Sequence, residues 1–369
     1  MCPKFPIEFF DPMSQVFREF LKKVGSGQHT SQDLTRSEAA IAARLMLNAE
    51  ATPAQIGAFL IAHRIKRPTG AELAGFLDAY DGFAQSLPAI PDLPKSPWVF
   101  GVPYDGRSRT MPFLPVIALL LSAAGQPVIL HGGDCMPTKY GLGLTDIWAD
   151  LGLDFRPLSL SDCGQLLEAT HFTFYYTPRH FPASQALTDY RDQIGKRPPL
   201  ATLDLIWNPY GGPSRIVIGY VHPPTEKMIR GAFKLRGVTD FLLIKGLEGG
   251  TDLRLSQTTI VALPEIPPGG ETPYLKINPH AYGVNQGDPV LDSRAAYQQL
   301  WQDFLSNPQA DLPDRDQAAL VWNGGFYLWQ SGLCTDIKTG MAITEDYWRS
   351  GKIKAQWKLI QQELASFVR

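Results

Sequence analysis

Two arginines follow a glycine-rich loop in a pattern that predicts contact with an anion. The loop spans residues 101–106, directly after a short apolar segment, and Arg107 and Arg109 come next. Backbone N–H groups of such a loop can donate to an anion while guanidinium groups neutralise its charge. Pro103 lacks an N–H, which weakens the loop as a phosphate cradle. The alternative is a strand-to-helix turn in which Asp105 is a helix cap.

Two further loops carry a histidine and carboxylates. The segment His131–Asp134 would bring an imidazole and a carboxylate into one cleft; a hydrogen-bonded structural histidine is the alternative. Glu248 and Asp252 lie in a glycine-rich loop. Carboxylates in such a loop can bind Mg²⁺, with waters and substrate phosphates completing its shell. The alternative for these two acids is a solvated loop without a metal.

A basic helical face offers a different chemistry. Lys227, Arg230 and Lys234 are spaced three and four residues apart, which places them on one side of a helix. Such a stripe could bind the phosphates of a nucleic acid. A solvated helix surface is the alternative, and the formal net charge of -2 does not favour a general polyanion binder.

The elements that must position these residues alternate between strands and helices after residue 97. Short apolar runs separated by helical patterns predict a mainly parallel sheet covered on both faces. The predicted strands are 99–102, 128–130, 172–176, 216–221, 241–244, 259–263 and 274–277. The predicted helices are 114–124, 143–151, 162–169, 183–194 and 224–236. All three loops described above directly follow predicted strands, and ligands of such sheets bind at the carboxyl ends of the strands.

The first part of the chain predicts a helical domain. Thr35 and Glu38 have the spacing of a capping box, and Thr52 followed by Pro53 indicates the start of a second helix. A proline-rich segment, 87–97, predicts a linker or hinge. We therefore predict a small helical domain over 1–90, joined by a further helical piece near 183–194. A large α/β domain over 97–369 completes the predicted organisation.

Composition excludes several classes of protein. With 44% hydrophobic and 19% charged residues the chain is predicted to be globular rather than disordered. Its four cysteines form no CxxC pair, which suits a reducing cytosol and predicts neither a disulfide scaffold nor a zinc centre. No apolar stretch is long enough to span a bilayer, and no secretory signal opens the chain. We therefore expect a cytoplasmic location without membrane attachment.

The segment 50–80, EATPAQIGAFLIAHRIKRPTGAELAGFLDAY, resembles the N-terminal helices of anthranilate phosphoribosyltransferases. Further segments match that family in order along nearly the whole chain, including GKRPPLATLDLIWNP at 195–209 and IKGLEGGTD at 244–252. The resemblance implies a helical domain hinged to an α/β domain, usually in a homodimer. It also implies transfer of ribose 5-phosphate from phosphoribosyl pyrophosphate to anthranilate, with Mg²⁺ and the substrates in the cleft between the domains.

The resemblance assigns roles to individual positions. Arg197 stands at the arginine that meets the anthranilate carboxylate, a role suited to a planar guanidinium. Asp252 stands in the family's metal pair, and we add Glu248 to the predicted metal ligands. The predicted substrate-binding residues, apart from Arg197, are Gly101, Asp105, Gly106, Arg107, Arg109, Thr110, His131 and Gly132. No side chain is predicted to act as a catalytic acid, base or nucleophile, because the chemistry rests on positioning and electrostatic stabilisation.

The sequence departs from the family pattern in the donor-binding loops. Pro103 and Tyr104 replace glycines or small residues, Leu130 replaces a lysine, Asp134 an arginine and Thr251 the metal-binding aspartate. Each lost charged hydrogen bond typically costs about 1.5–3 kcal/mol. The substitutions therefore predict a weakened site for phosphoribosyl pyrophosphate.

We predict a phosphoribosyltransferase-like protein with an altered donor site and an aromatic amine as acceptor, in which the tryptophan-pathway activity is doubtful. Its predicted ligands are phosphoribosyl pyrophosphate, a small aromatic acceptor and Mg²⁺. The alternative is a non-catalytic homologue of the same fold that binds nucleic acid through Lys227, Arg230 and Lys234.

Overall fold

The structure, a computed structural model, describes residues 12–27, 29–265, 272–307 and 310–367. Residues 1–11 of the predicted helical domain and 368–369 of the predicted α/β domain lie outside the described residues. In the described part, no helix is both long and apolar enough to cross a membrane.

Four helices form the N-terminal layer: α1 (Pro12–Gly25), α2 (Arg36–Leu47), α3 (Pro53–Lys66) and α4 (Gly70–Phe83). Capping boxes begin the last three, at Thr35, Thr52 and Thr69. In each, the threonine hydroxyl accepts from the N–H three residues on, and that Glu or Gln side chain accepts from the threonine N–H. The helix starts predicted at Thr35 and Thr52 are therefore confirmed.

A mixed sheet forms the centre of the molecule, and its described part has 7 strands in the order β3-β2-β1-β4-β5-β6-β7. The strands are β1 (Trp98–Gly101), β2 (Val128–Gly132), β3 (Phe172–Tyr176), β4 (Arg215–Gly219), β5 (Phe241–Ile244), β6 (Thr259–Ala262) and β7 (Tyr274–Ile277). The strands from β3 to β5 in this order are parallel, and β6 and β7 are antiparallel to their neighbours. This confirms the predicted mainly parallel sheet in a helical-plus-α/β architecture.

Helices cover both faces of the sheet. In chain order they are α5 (Leu114–Ala123), α6 (Leu144–Asp150), α7 (Leu160–Thr170), α8 (Thr177–His180), α9 (Pro182–Gln185), α10 (Thr188–Gln193), α11 (Leu200–Ile206) and α12 (Pro223–Arg236). The C-terminal part forms α13 (Arg294–Ser306), α14 (Asp314–Gln330), α15 (Ile337–Arg349) and α16 (Lys352–Phe367). α5 is buried along its whole length, which explains its unbroken apolar sequence.

The prediction of one helix over 183–194 was wrong. The structure has most of α9 and all of α10 there instead, separated by a turn at Ala186 and Leu187. Pro182 lies in the first turn of α9, where a missing N–H costs nothing, so it does not cause this break. Leu187 is buried in a nonpolar cluster, which indicates that tertiary packing sets the position of the turn.

The helical layer packs directly on one face of the sheet. One nonpolar cluster contains Phe59 and Phe76 from the helices together with Ile218 and Leu243 from β4 and β5. Arg236 of α12 also bonds to carboxylates of α4. The segment predicted as a linker begins at Leu87, which is buried and bonded to the backbone of residues 209 and 211. The helical layer and one face of the sheet therefore share a nonpolar cluster.

Candidate active site

The loops that follow β1, β2 and β5 meet at the carboxyl edge of the sheet. Lys139, from the loop after β2, places its Nζ 2.6 Å from Oε2 of Glu248, which belongs to the loop after β5. Arg107, from the loop after β1, places Nη1 2.7 Å from Oδ2 of Asp252. The structure thus brings together the three loops that the sequence singles out.

The glycines of these loops allow close packing of the chain. A Cβ at Gly101 would overlap the carbonyl oxygen of Leu205, and one at Gly106 would overlap the backbone of Leu142. Gly106 has φ +73°, a conformation that glycine adopts without strain. At Gly132 a Cβ would lie 3.1 Å from an aromatic ring of β3. These contacts explain the glycines structurally, and their substrate-binding role stays a prediction.

Arg197, whose side chain is 42% exposed, is ion-paired with the buried carboxylate of Asp105. Its Nε donates to Oδ2 of Asp105 at 3.0 Å, and its Nη2 donates to the same oxygen. Arg191 lies 3.7 Å from that oxygen and 3.2 Å from Oδ2 of Asp204. Burial raises the pKa of Asp204 to about 6, although Arg191 favours the charged form. The guanidinium predicted to meet a substrate carboxylate already binds a carboxylate of the chain.

His131 is enclosed by aromatic side chains. The Tyr104 hydroxyl is hydrogen-bonded to Nδ1 of His131. The rings of Tyr104 and Trp207 stand edge-on to the imidazole, with centroids 5.5 and 5.8 Å away. His131 is fully buried, and this burial lowers its pKa to about 3, so the imidazole is neutral at pH 7. A neutral, enclosed imidazole cannot neutralise the charge of a substrate.

The carboxylate of Glu248 binds to the loop that follows β1. Its Oε1 accepts from the backbone N–H groups of Arg109 at 2.9 Å and Thr110 at 2.7 Å, and from the Thr110 hydroxyl at 2.8 Å. Oε2 accepts from the N–H of Ser108 at 3.3 Å and lies next to Lys139. Burial opposes the charged form, but the bonds from Lys139 and Thr110 hold the pKa of Glu248 well below its usual range.

The two predicted metal ligands are paired with cations of the chain. Arg107 lies between them, with Nη1 2.7 Å from Asp252 and Nε 3.7 Å from Glu248. Asp252 also accepts from the N–H of Phe113 at 3.2 Å. The described residues contain no group of three or more His, Cys, Asp or Glu side chains placed to hold a metal ion. In this arrangement the two carboxylates do not fit Mg²⁺, because Arg107 and Lys139 already neutralise them.

Two sequence profiles of known families match the chain. The helical bundle domain of a glycosyl transferase family matches residues 18–84, and the α/β domain of the same family matches residues 109–354. The chain belongs to this glycosyl transferase family. The resemblance to anthranilate phosphoribosyltransferases is thereby confirmed at the level of the family.

Curated relatives of this family member match it over most of their length. An anthranilate phosphoribosyltransferase from Bradyrhizobium diazoefficiens is 26% identical and covers 92% of this chain and 97% of its own. One from Ralstonia nicotianae is 24% identical, with 85% and 88% covered. An uncharacterized protein from Aquifex aeolicus is 27% identical, with 89% and 98% covered.

Solved structures share the fold. Anthranilate phosphoribosyltransferase from Thermus thermophilus aligns with a TM-score of 0.72 at 21% identity, covering 94% of this chain and 99% of its own. The Saccharomyces cerevisiae enzyme, solved in complex with PRPP (phosphoribosyl pyrophosphate) and Mg, aligns with a TM-score of 0.79 at 15% identity, covering 96% and 99%. At these identities the likeness shows the common fold.

Sequence reasoning missed several residues of the site in this family member. Lys139 had no signal beyond its place in the loop after β2. Arg191 lies in a region predicted as a single helix, and that prediction did not indicate that its side chain points towards Asp105 and Asp204. Asp204 did carry a signal, because it is a single acid within the apolar run LATLDLIW and must be buried with it.

The predicted nucleic-acid face is not a uniform basic stripe. Lys227 and Lys234 are exposed on α12, but Arg230 is partly buried. Its guanidinium donates to Glu265 at 2.8 Å and to the carbonyl oxygen of Leu263 at 3.0 Å. The middle cation of the face is thus used within the chain.

Proposed function

We propose that the protein is a phosphoribosyltransferase-like family member that keeps an anion-binding loop but has lost efficient transfer of ribose 5-phosphate to anthranilate. The observation that carries this proposal is the pairing of Arg197 with Asp105. By resemblance, Arg197 is the residue that would bind the anthranilate carboxylate. Because Nε and Nη2 of its guanidinium already bind a buried carboxylate, anthranilate would have to compete with Asp105 for this group.

Tyr104 supports the same proposal. It stands where the family has a glycine or small residue, and its buried side chain lies against His131. The ring adds bulk beside the loop that is predicted to meet the substrates. We therefore expect the protein to use an acceptor other than anthranilate, or no acceptor.

Binding of a phosphorylated ligand is the part of the family's function that the loops still support. The N–H groups of Ser108, Arg109 and Thr110, together with Lys139, form a set of donors suited to an anion. Phosphoribosyl pyrophosphate is the first ligand to test, with and without Mg²⁺. The homodimer predicted from the resemblance is to be tested by light scattering on the purified protein.

The test is a direct assay with anthranilate, phosphoribosyl pyrophosphate and Mg²⁺, run beside the Bradyrhizobium relative as a positive control. Loss of one or two charged hydrogen bonds to the acceptor predicts a kcat/KM that is about 10–10⁴-fold lower. Substituting Arg197→Ala should change this residual rate little, since in this proposal the guanidinium serves Asp105 rather than the acceptor. A kcat/KM within tenfold of the relative would show that the proposal is wrong.

Nucleic-acid binding is the second candidate function. The observation that favours it is the exposure of Lys227 and Lys234 on α12. Contacts to phosphates would give a DNA affinity that falls steeply with salt. Retardation of DNA that disappears in K227Q/K234Q would support this candidate over the first.

A further inference from the structure

The carboxylate of Glu248 occupies the position of a ligand. Its two oxygens receive three successive backbone N–H groups, the Thr110 hydroxyl and the Lys139 ammonium group. Successive N–H groups that point into one concavity, completed by a cation, are a common way of binding phosphate. Here the anion in the concavity is a side chain of the protein itself.

We propose that the loop 108–110 and Lys139 form a phosphate-binding site that Glu248 blocks, so that a phosphate or pyrophosphate group binds only by displacing this side chain. The proposal rests on the proposed function, because it assigns the residues that would hold the phosphorylated ligand. It adds that the chain carries its own competitor for that site.

The charged groups around Glu248 would be left with a net positive charge if its carboxylate moved away. Arg107 keeps Asp252 as its partner at 2.7 Å when Glu248 leaves, so this pair remains neutral. Lys139 loses the partner that now lies 2.6 Å away. Arg109, whose side chain is 80% exposed, has its Nε 3.8 Å from Glu248 and stands at the mouth of the site. Displacement therefore leaves two cations and three N–H donors for an incoming dianion.

The backbone at Glu248 indicates that its side chain is held there at some cost. Glu248 has φ +52°, in the left-handed region that residues other than glycine rarely adopt. Its neighbour Gly249 also has a positive φ of +81°. The turn is a single 3-10 turn, Leu247–Gly249, followed by a second glycine, Gly250. Displacement of Glu248 therefore has to leave Leu247, which is buried, in place.

The left-handed backbone provides a variant that removes the blocking side chain and keeps the turn. E248G deletes the carboxylate at a position whose φ suits glycine. E248Q keeps the size of the side chain but removes its charge, and it serves as the second variant. E168Q removes one negative charge from an exposed site near the end of α7, beside the start of β3 at the opposite edge of the sheet, and is the matched control.

The experiment is calorimetric titration of inorganic pyrophosphate, without Mg²⁺, into wild type and the three variants. We expect E248G to bind pyrophosphate at least tenfold more tightly than wild type and E248Q to be intermediate. E168Q should behave as wild type. Adding K139Q to E248G should reduce the gain, because the ammonium group freed by the first substitution is then absent.

Equal affinity of wild type, E248G and E248Q for pyrophosphate would overturn the proposal. A gain in E248G that is undiminished in E248G/K139Q would also overturn it, because Lys139 would then have no part in the site. The readout is binding and not turnover. Efficient anthranilate transfer by wild type would therefore contradict the proposed function. The blocking role of Glu248 would still be decided by the ratio of the pyrophosphate affinities of E248G and wild type.

Discussion

At the scale of single residues, Asp204 is a carboxyl group in a largely apolar setting. It lies on α11 within a run of buried residues, and Arg191 is its ion-pair partner at 3.2 Å. Burial raises its pKa to about 6 despite that partner. The folded state therefore favours the protonated acid more than the unfolded chain does, and this preference makes the free energy of unfolding depend on pH.

We predict that D204N reduces this pH dependence. The contribution of Asp204 is fully present below its unfolded pKa of about 4 and is lost as the pH rises through about 6. Two pKa units correspond to about 3 kcal/mol at most. Urea unfolding at pH 4.5 and pH 8 should show a smaller difference for D204N than for wild type. D189N, which alters an exposed carboxyl on α10, should keep the wild-type difference; equal differences for D204N and wild type would contradict the prediction.

The positions of the charged residues could be predicted from sequence, but their partners could not. The loops that carry Arg107, His131 and Glu248 follow predicted strands, and parallel strand order places such loops at one edge of the sheet. Arg107 meets Asp252 across 145 positions, and Arg197 meets Asp105 across 92. Neither pairing can be recognised from the local sequence. An arginine that is free to bind substrate and one that is paired within the chain therefore have the same sequence pattern.

At the scale of elements, the sequence predicted helix starts correctly where the signal is a cap that depends on residues within one turn. Thr35 and Thr52 were identified as helix starts because a cap depends only on residues up to three positions on. The region of α9 and α10 was predicted as one helix, because its periodicity is compatible with one helix and the turn at Ala186 and Leu187 contains neither proline nor glycine. Helix α11 was missed because its seven residues follow two prolines and are too few to show a period.

Two glycines in α4 give a matched test of how closely α2 and α4 pack. A Cβ at Gly75 would overlap the carbonyl oxygen of Arg36 and lie 2.9 Å from the Cβ of Ala39, whereas one at Gly82 has no heavy atom within 4 Å. We predict that G75A lowers the free energy of unfolding by about 1–3 kcal/mol through overpacking. G82A should raise it by about 0.5–1 kcal/mol, since alanine favours a helix. Equal shifts in urea midpoints would show that the helices are not in this contact.

At the scale of the whole molecule, the sequence predicts two domains joined by a hinge, and the structure shows a common core. Phe59 and Phe76 of the helical layer pack in the same cluster as Ile218 and Leu243 of the sheet. The change of period at residue 97 correctly marked the beginning of the sheet, because strand and helix patterns differ locally. Packing between the layers could not be foreseen, because it joins residues far apart in the chain.

We predict that the two layers unfold in one transition. All 8 tryptophans lie at position 98 or later, so tryptophan fluorescence reports on the sheet and its covering helices, while far-ultraviolet circular dichroism also includes α1–α4. A shared core predicts coincident urea curves from the two signals. R236Q, which removes the bonds of Arg236 to Asp78 and Asp81, should shift both curves together. An early loss of helix signal with unchanged fluorescence would contradict the prediction.

The continuous core also sets the rate at which the blocked site can open. Rotation of one layer against the other would pull α4 away from α12 and expose apolar surface of the shared cluster, so it is energetically unfavourable. A movement within the turn 246–250 that leaves buried Leu247 in place exposes little such surface. Loop motions of this size occur in nanoseconds to microseconds, against microseconds to milliseconds for domain rotation. The association kinetics of a phosphorylated ligand should therefore follow the dynamics of one short turn.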